Sequence, residues 1–189
     1  MDWEKIFKFR YNEIVGLDIG SSSVRAVQMV SDSAGFTVTA VDRFEVDTEG
    51  EERSAGPEAL AGVIDKRLSE DVFNSQWAVC SVCGPEVAVR DFKFPDLSKD
   101  EISSAVSLEA SQVCPFNVET GSVQHQLIHE GAGGVYGMLV AATDRVIREK
   151  RDILDRTNMD CVLMDVSGLA LLNCFAALTS ISEARWLRF

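Results

Sequence analysis

The chain has 189 residues, 46% apolar and 25% charged, which is enough for one large or two small domains with a buried core. Thirty acidic against 18 basic side chains leave a formal net charge of −12. That excludes non-specific nucleic-acid binding, which depends on neutralising phosphates, and a broadly basic membrane-binding surface. No apolar run approaches the roughly 20 residues of a membrane span.

The first residues carry charges but no apolar stretch of the kind a secretory signal needs. The five cysteines, an odd number, suit reduced thiols in the cytoplasm better than a disulfide framework. Residues 1–12 hold Trp3, Ile6, Phe7 and Phe9 among Lys5, Lys8 and Arg10. Read as a helix, this is a short amphipathic segment suited to a membrane surface or a partner. The plainer reading is a capping segment folded back on the domain, or a frayed terminus.

Residues 14–19 are apolar and β-branched, the mark of a buried strand. Asp18 stands near its end, where a carboxylate is costly if buried unpaired. Gly20, Ser21, Ser22 and Ser23 separate this run from a second one at 24–30, so the two read as a hairpin. Its tight turn offers backbone N–H groups and hydroxyls beside one carboxylate. Such a turn can cradle phosphate, with Asp18 holding a hydrated Mg²⁺; it also reads as an ordinary polar hairpin turn. No Gly-Lys-Ser/Thr follows, and no GxGxxG precedes a helix, so neither a Walker A loop nor a dinucleotide fingerprint is present.

Residues 35–46 alternate and predict a third strand, which would complete an antiparallel meander. An acidic loop over 47–54 leads to Gly56-Pro57, with Pro57 at the favoured first position of a helix whose apolar face is Leu60, Val63, Ile64 and Leu68. Strands are predicted at 75–83 and 87–94, divided by Gly84-Pro85. Cys80 and Cys83 form a single CxxC. On a strand the two face opposite sides of the sheet, and with no second pair they read as small apolar fillers rather than zinc ligands, like His125 and His129, read as ordinary packed or surface histidines.

Ser98-Lys99-Asp100-Glu101 has the form of a capping box and opens a helix to about 113, with Ile102, Val106 and Ala110 on one face, ended by Cys114-Pro115. Residues 122–130 and 135–142 predict a hairpin across the glycines at 131–134. Thr143-Asp144 then caps a helix to about 157, its buried side marked by Val146, Ile147, Ile153 and Leu154, with Asn158 as the stop. A strong strand at 161–166 carries Asp165 near its carboxyl end. Ser167 caps a helix to about 178, and 180–189 show no clear pattern. The order is βββα, ββ, αββα, βα: an α/β domain with a segment of its own inserted at 96–159.

The stretch Val15-Gly16-Leu17-Asp18-Ile19-Gly20-Ser21-Ser22-Ser23-Val24-Arg25-Ala26-Val27 resembles the first phosphate loop of the actin, Hsp70 and sugar-kinase ATPases. More narrowly, the chain resembles the PilM family of type IV pilus assembly proteins, relatives of the division protein FtsA. Further stretches carry the likeness: Phe92-Lys93-Phe94-Pro95 with Leu97, Ser98 and Glu101; Glu109-Ala110-Ser111-Gln112 with Pro115-Phe116 and Val118-Glu119; Leu139-Val140-Ala141-Ala142 with Val146; and Val162, Asp165-Val166 and Leu169-Ala170-Leu171.

The resemblance implies an actin-like, ribonuclease H-like fold with a βββαβα-type core: residues 1–95 and 160–189 as subdomain 1A, and 96–159 as an inserted αββα subdomain 1C. It implies a cytoplasmic ATP-binding scaffold, peripheral to the inner membrane, that captures the N-terminal tail of a PilN-like membrane protein in a groove between the two subdomains. ATP and Mg²⁺ are the implied ligands, with Gly20, Ser21, Ser22 and Ser23 facing phosphate, Asp18 holding Mg²⁺ through water, and Asp165 a further cleft residue or else a helix-capping carboxylate. Family members continue into a second domain with a second phosphate loop. Nothing after Ala177 resembles it, so domain II is expected to be absent, with self-association through the face it would cover. Ser167 stands where many relatives carry an acidic residue, and Arg25 where Lys is common. Catalysis is expected to amount to a weak actin-like ATPase at most. The alternatives are an ATPase or kinase half-domain with true activity, for which no general base is apparent, and a docking module like that of the type II secretion protein GspL, against which the intact Asp18-x-Gly20 speaks.

Overall fold

The computed structural model describes residues 12–32, 35–46, 57–69, 72–131 and 133–179. The expectations for 1–11, for the acidic loop at 47–54 and for 180–189 lie outside the described residues. The chain divides into two compact units. One runs to Val82 and takes in Arg148–Ser167; the other is Cys83–Ile147 with the residues from Gly168 onward. These divisions fall at 82/83, 147/148 and 167/168.

The first unit is a five-stranded sheet. Strands β1 (Glu13–Ile19), β2 (Ser23–Asp32) and β3 (Gly35–Glu45) form the expected antiparallel meander. β4 (Trp77–Val82) lies parallel to β1, and β8 (Asp160–Val166) parallel to β4, giving the order β3-β2-β1-β4-β8. Parallel neighbours require crossovers. These are supplied by α1 (Pro57–Leu68) ahead of β4 and by α3 (Asp144–Leu154) ahead of β8. Val15, Leu17 and Ile19 of β1, Val24 and Ala26 of β2, and Ala78 and Cys80 of β4 meet Ala61, Ile64 and Leu68 of α1 and Ile153 and Leu154 of α3 in one apolar core. On α1, Val63 is exposed and Ala61 takes the inner place, because 61, 64 and 68 share one stripe at 3.6 residues per turn. α3 ends at Leu154, three residues before the expected end at about 157, and there the Thr157 N–H and hydroxyl both donate to the Leu154 carbonyl.

A polar side chain sits inside this core. Gln28 is buried, and its amide donates to Glu13 Oε1 at 2.7 Å and Thr39 Oγ1 at 3.0 Å. Its oxygen accepts from the amides of Asn74 and Ser75 at 2.7 and 3.2 Å. The β2–β3 register shifts beside it, between Gln28 and Met29. On the opposite face of these strands Phe36, Val38, Val41 and Met29 are exposed.

The second unit holds β5 (Val87–Phe94), β6 (Gly121–Gly131) and β7 (Gly134–Thr143) in the antiparallel order β5-β7-β6. The strand expected to lead into the insertion is thus part of its sheet, paired with β7 from Val87↔Ala142 to Phe94↔Val135. Helix α2 (Lys99–Val113) packs Ile102, Val106 and Ala110 against Phe92, Val135 and Leu139. β7 approaches closely enough at Gly137 that a Cβ there would meet the Gln126 carbonyl and the Phe92 ring, each at 2.5 Å. A 3₁₀ turn, Val118–Thr120, was not visible in the sequence pattern; Asn117 caps it by accepting from the Glu119 amide. Helix α4 (Ser167–Thr179) follows β8 directly. Among the described residues, no helix is long and apolar enough to cross a membrane.

Candidate functional site

The β1–β2 turn brings the predicted residues together. Gly20 N–H donates to the Ser23 carbonyl at 3.0 Å, and a Cβ on Gly20 would press that same oxygen at 3.0 Å, so the tightness of the turn explains the glycine. Ser21 and Ser22 form its exposed tip. Ser23 does not: it is the first residue of β2 and is buried. The exposed hydroxyls of the turn are therefore those of Ser21 and Ser22, while Ser23, expected with them to face phosphate, is buried. Strand pairing captures Ser23 because its carbonyl is the acceptor that closes the turn.

Asp18 lies opposite Arg25 in the β1–β2 register, and the two form an ion pair at 2.8 Å with both side chains about half exposed. Its other oxygen accepts from the Ser81 hydroxyl of β4 at 3.3 Å. Ser81 is in turn 3.0 Å from the Ser167 hydroxyl, which also reaches the Val82 carbonyl at 3.3 Å. Ser167, expected as a helix cap, is instead turned toward β4. In the parallel registers Leu17 pairs with Cys80 and Ser81 with Asp165. Asp18, Ser81 and Asp165 thus form one row across three strands, about 10 Å from the first to the last at ordinary strand spacing. Asp165 is half-buried, its carboxylate accepts from the Val166 amide at 2.7 Å, and burial raises its pKa above the usual carboxylate value. Its acceptor bond reaches only the next residue, so it does not cap α4 in the usual way.

These groups fit a hydrated divalent cation. Mg²⁺ keeps several waters and binds through one or two carboxylates. Asp18 supplies a half-exposed carboxylate, hydroxyls flank it, and the exposed Arg25 pair is weak enough to yield to a stronger partner. When bound, such a cation would supply charge neutralisation for phosphate oxygens.

Sequence reasoning missed Ser81 and Lys150. Ser81 was legible in principle as the lone hydroxyl of a strand on the face opposite its buried neighbours. Lys150 was not: its ammonium donates to the Ile19 carbonyl at 2.5 Å across a separation of 131 residues. The cysteines differ among themselves. Cys80 is fully buried, and burial, followed by the neighbouring Cys161, pushes its pKa up to about 12, whereas Cys83, expected as an apolar filler, is exposed, as is Cys174. His125 and His129 are exposed. Among the described residues, no group of three or more His, Cys, Asp or Glu side chains is arranged to hold a metal by itself.

Solved structures that match the chain include two that share this fold. The chain matches a PilM–PilN type IV pilus biogenesis complex with a TM-score of 0.74 at 24% identity, over 87% of this chain and 50% of that one. It matches the cytoplasmic domain of EpsL, an inner-membrane component of the type II secretion system of Vibrio cholerae, with a TM-score of 0.58 at 14% identity, over 84% and 58%. The chain thus spans half the length of the first and under two thirds of the second. At these identities the likeness is one of fold, and the α/β class is the one expected from the sequence. The sequence model of one family, type IV pilus assembly protein PilM, matches residues 16–183, from within β1 ahead of Asp18 to beyond α4. The chain therefore belongs to the PilM family of type IV pilus assembly proteins.

Proposed function

We propose that this chain is a nucleotide-binding docking subunit of type IV pilus assembly, which binds Mg-ATP at the β1–β2 turn and captures the N-terminal tail of a PilN-like inner-membrane partner from the cytoplasmic side. In this reading the unit built on β1–β4 and β8 is subdomain 1A, and the unit built on β5–β7 is subdomain 1C. Gly20, Ser21 and Ser22 meet phosphate, Asp18 holds Mg²⁺ through water, and Asp165 borders the site. The role is that of a scaffold, and Ser167 brings a hydroxyl where water activation would call for a carboxylate.

The observation that carries the reading is the half-exposed Asp18 carboxylate beside an exposed Gly-Ser-Ser turn, positioned by Arg25 and Ser81. Calorimetric titration of Mg-ATP into the purified chain tests it. Micromolar binding, lost in Asp18→Ala while the circular dichroism spectrum stays unchanged, is the expected result. An Asp18→Ala protein that binds as well as the parent overturns the site. Sedimentation of the same sample reads the expected self-association, and titration with a synthetic partner tail reads docking separately.

A further inference from the structure

A basic side chain reaches the turn from far along the chain. Lys150 lies on α3 and is half-buried, and its ammonium bonds the carbonyl of Ile19, the last residue of β1 and the one before Gly20. An ammonium has three donors, and the Ile19 carbonyl takes one of them. Among the described residues Lys150 has no carboxylate partner, while the other cation at the turn, Arg25, is engaged by Asp18. A half-buried ammonium whose protein partner is a neutral carbonyl forms stronger, charge-assisted bonds to an anion arriving beside it.

The geometry points to Lys150 as a phosphate-contacting residue: its ammonium keeps the Ile19 carbonyl and turns its remaining donors to the oxygens of a phosphate seated on the Gly20–Ser21–Ser22 turn. This rests on the nucleotide reading above and adds to it the residue that carries the positive charge. As a compact point charge, Lys150 recognises the anion rather than the base. The contact is therefore expected to serve any Mg-polyphosphate and to be indifferent to adenosine.

The test is titration of Mg-ATP, Mg-tripolyphosphate and adenosine into the parent protein, Lys150→Gln, Lys150→Arg and Asp18→Ala, at two salt concentrations. Lys150→Gln is expected to weaken both phosphate ligands about tenfold or more and to flatten their salt dependence, leaving adenosine unchanged. Lys150→Arg is expected to restore most of the affinity. A merely structural lysine would lower the thermal midpoint without altering the salt dependence. If the parent binds Mg-ATP and Lys150→Gln binds it equally well, the lysine assignment falls and the nucleotide site stands. If the parent binds neither phosphate ligand, the nucleotide site fails and takes this assignment with it. Should Lys150→Gln not fold, acetylation of Lys150 in the parent, read by mass spectrometry, decides: protection by Mg-tripolyphosphate supports the contact, and unchanged labelling overturns it.

Discussion

Burying an amide on a strand of valines costs free energy unless its donors and acceptor find partners, and the Gln28 side chain finds four. Through them one residue of β2 holds Glu13 at the start of β1, Thr39 at the irregularity of β3, and the segment that delivers the chain into β4. Because β4 brings Ser81 to Asp18, this network supports the candidate site from a distance. Gln28→Leu keeps the volume but leaves the Asn74 and Ser75 amides without their acceptor. It is expected to destabilise the protein by about 2–4 kcal/mol in urea unfolding, with little change in the slope. A loss well under 1 kcal/mol would mean that water replaces the network.

At the scale of an element, α2 depends on its first turn. The Ser98 amide and hydroxyl both donate to the Glu101 carboxylate, at 2.8 and 2.7 Å, and the Ser98 carbonyl accepts the Ile102 amide. The Ser98 hydroxyl, then the Ser98 amide, lowers the Glu101 pKa below the usual carboxylate value. A carboxyl whose folded pKa is depressed stabilises the fold above its unfolded pKa and loses that contribution as pH falls through the folded one. First-turn amides of α2 are therefore expected to lose protection, relative to their intrinsic exchange rates, below about pH 4, the ordinary range of a free Glu. Glu101→Gln should keep one protection factor, the observed rate relative to the intrinsic rate at each pH, across that range. If it kept the parent's pH dependence, the capping carboxylate would not be its source.

For the whole molecule, each unit has its own apolar cluster, one beneath α1 and the other beneath α2. A ligand that binds only the folded form stabilises it by mass action, by about 2.7 kcal/mol at a hundredfold excess over Kd. In a chain of this size that is a rise of roughly 5–10 °C in thermal midpoint. Mg-ATP is expected to produce such a shift in the parent and none in Asp18→Ala. Equal shifts in both would place the nucleotide elsewhere on the molecule.

The periodic segments were legible in the sequence because their cause is local. The β-branched runs of β1 and β2, the capping box of α2 and the glycine of the first turn each follow from steric and hydrogen-bond demands met within a few residues. So did the core of the candidate site, since Asp18, Gly20, Ser21 and Ser22 are neighbours in the chain. What only the tertiary structure decided is long-range pairing. The partnership of β5 with β7 rather than with β4, the burial of Ser23, the row linking Asp18 to Ser81 and Asp165, and the reach of Lys150 to Ile19 all join residues whose spacing carries no periodic signal. Local propensity names a strand and its inward face. Which strand lies beside it, and so which side chains share a site, is set by the packing of the assembled sheet.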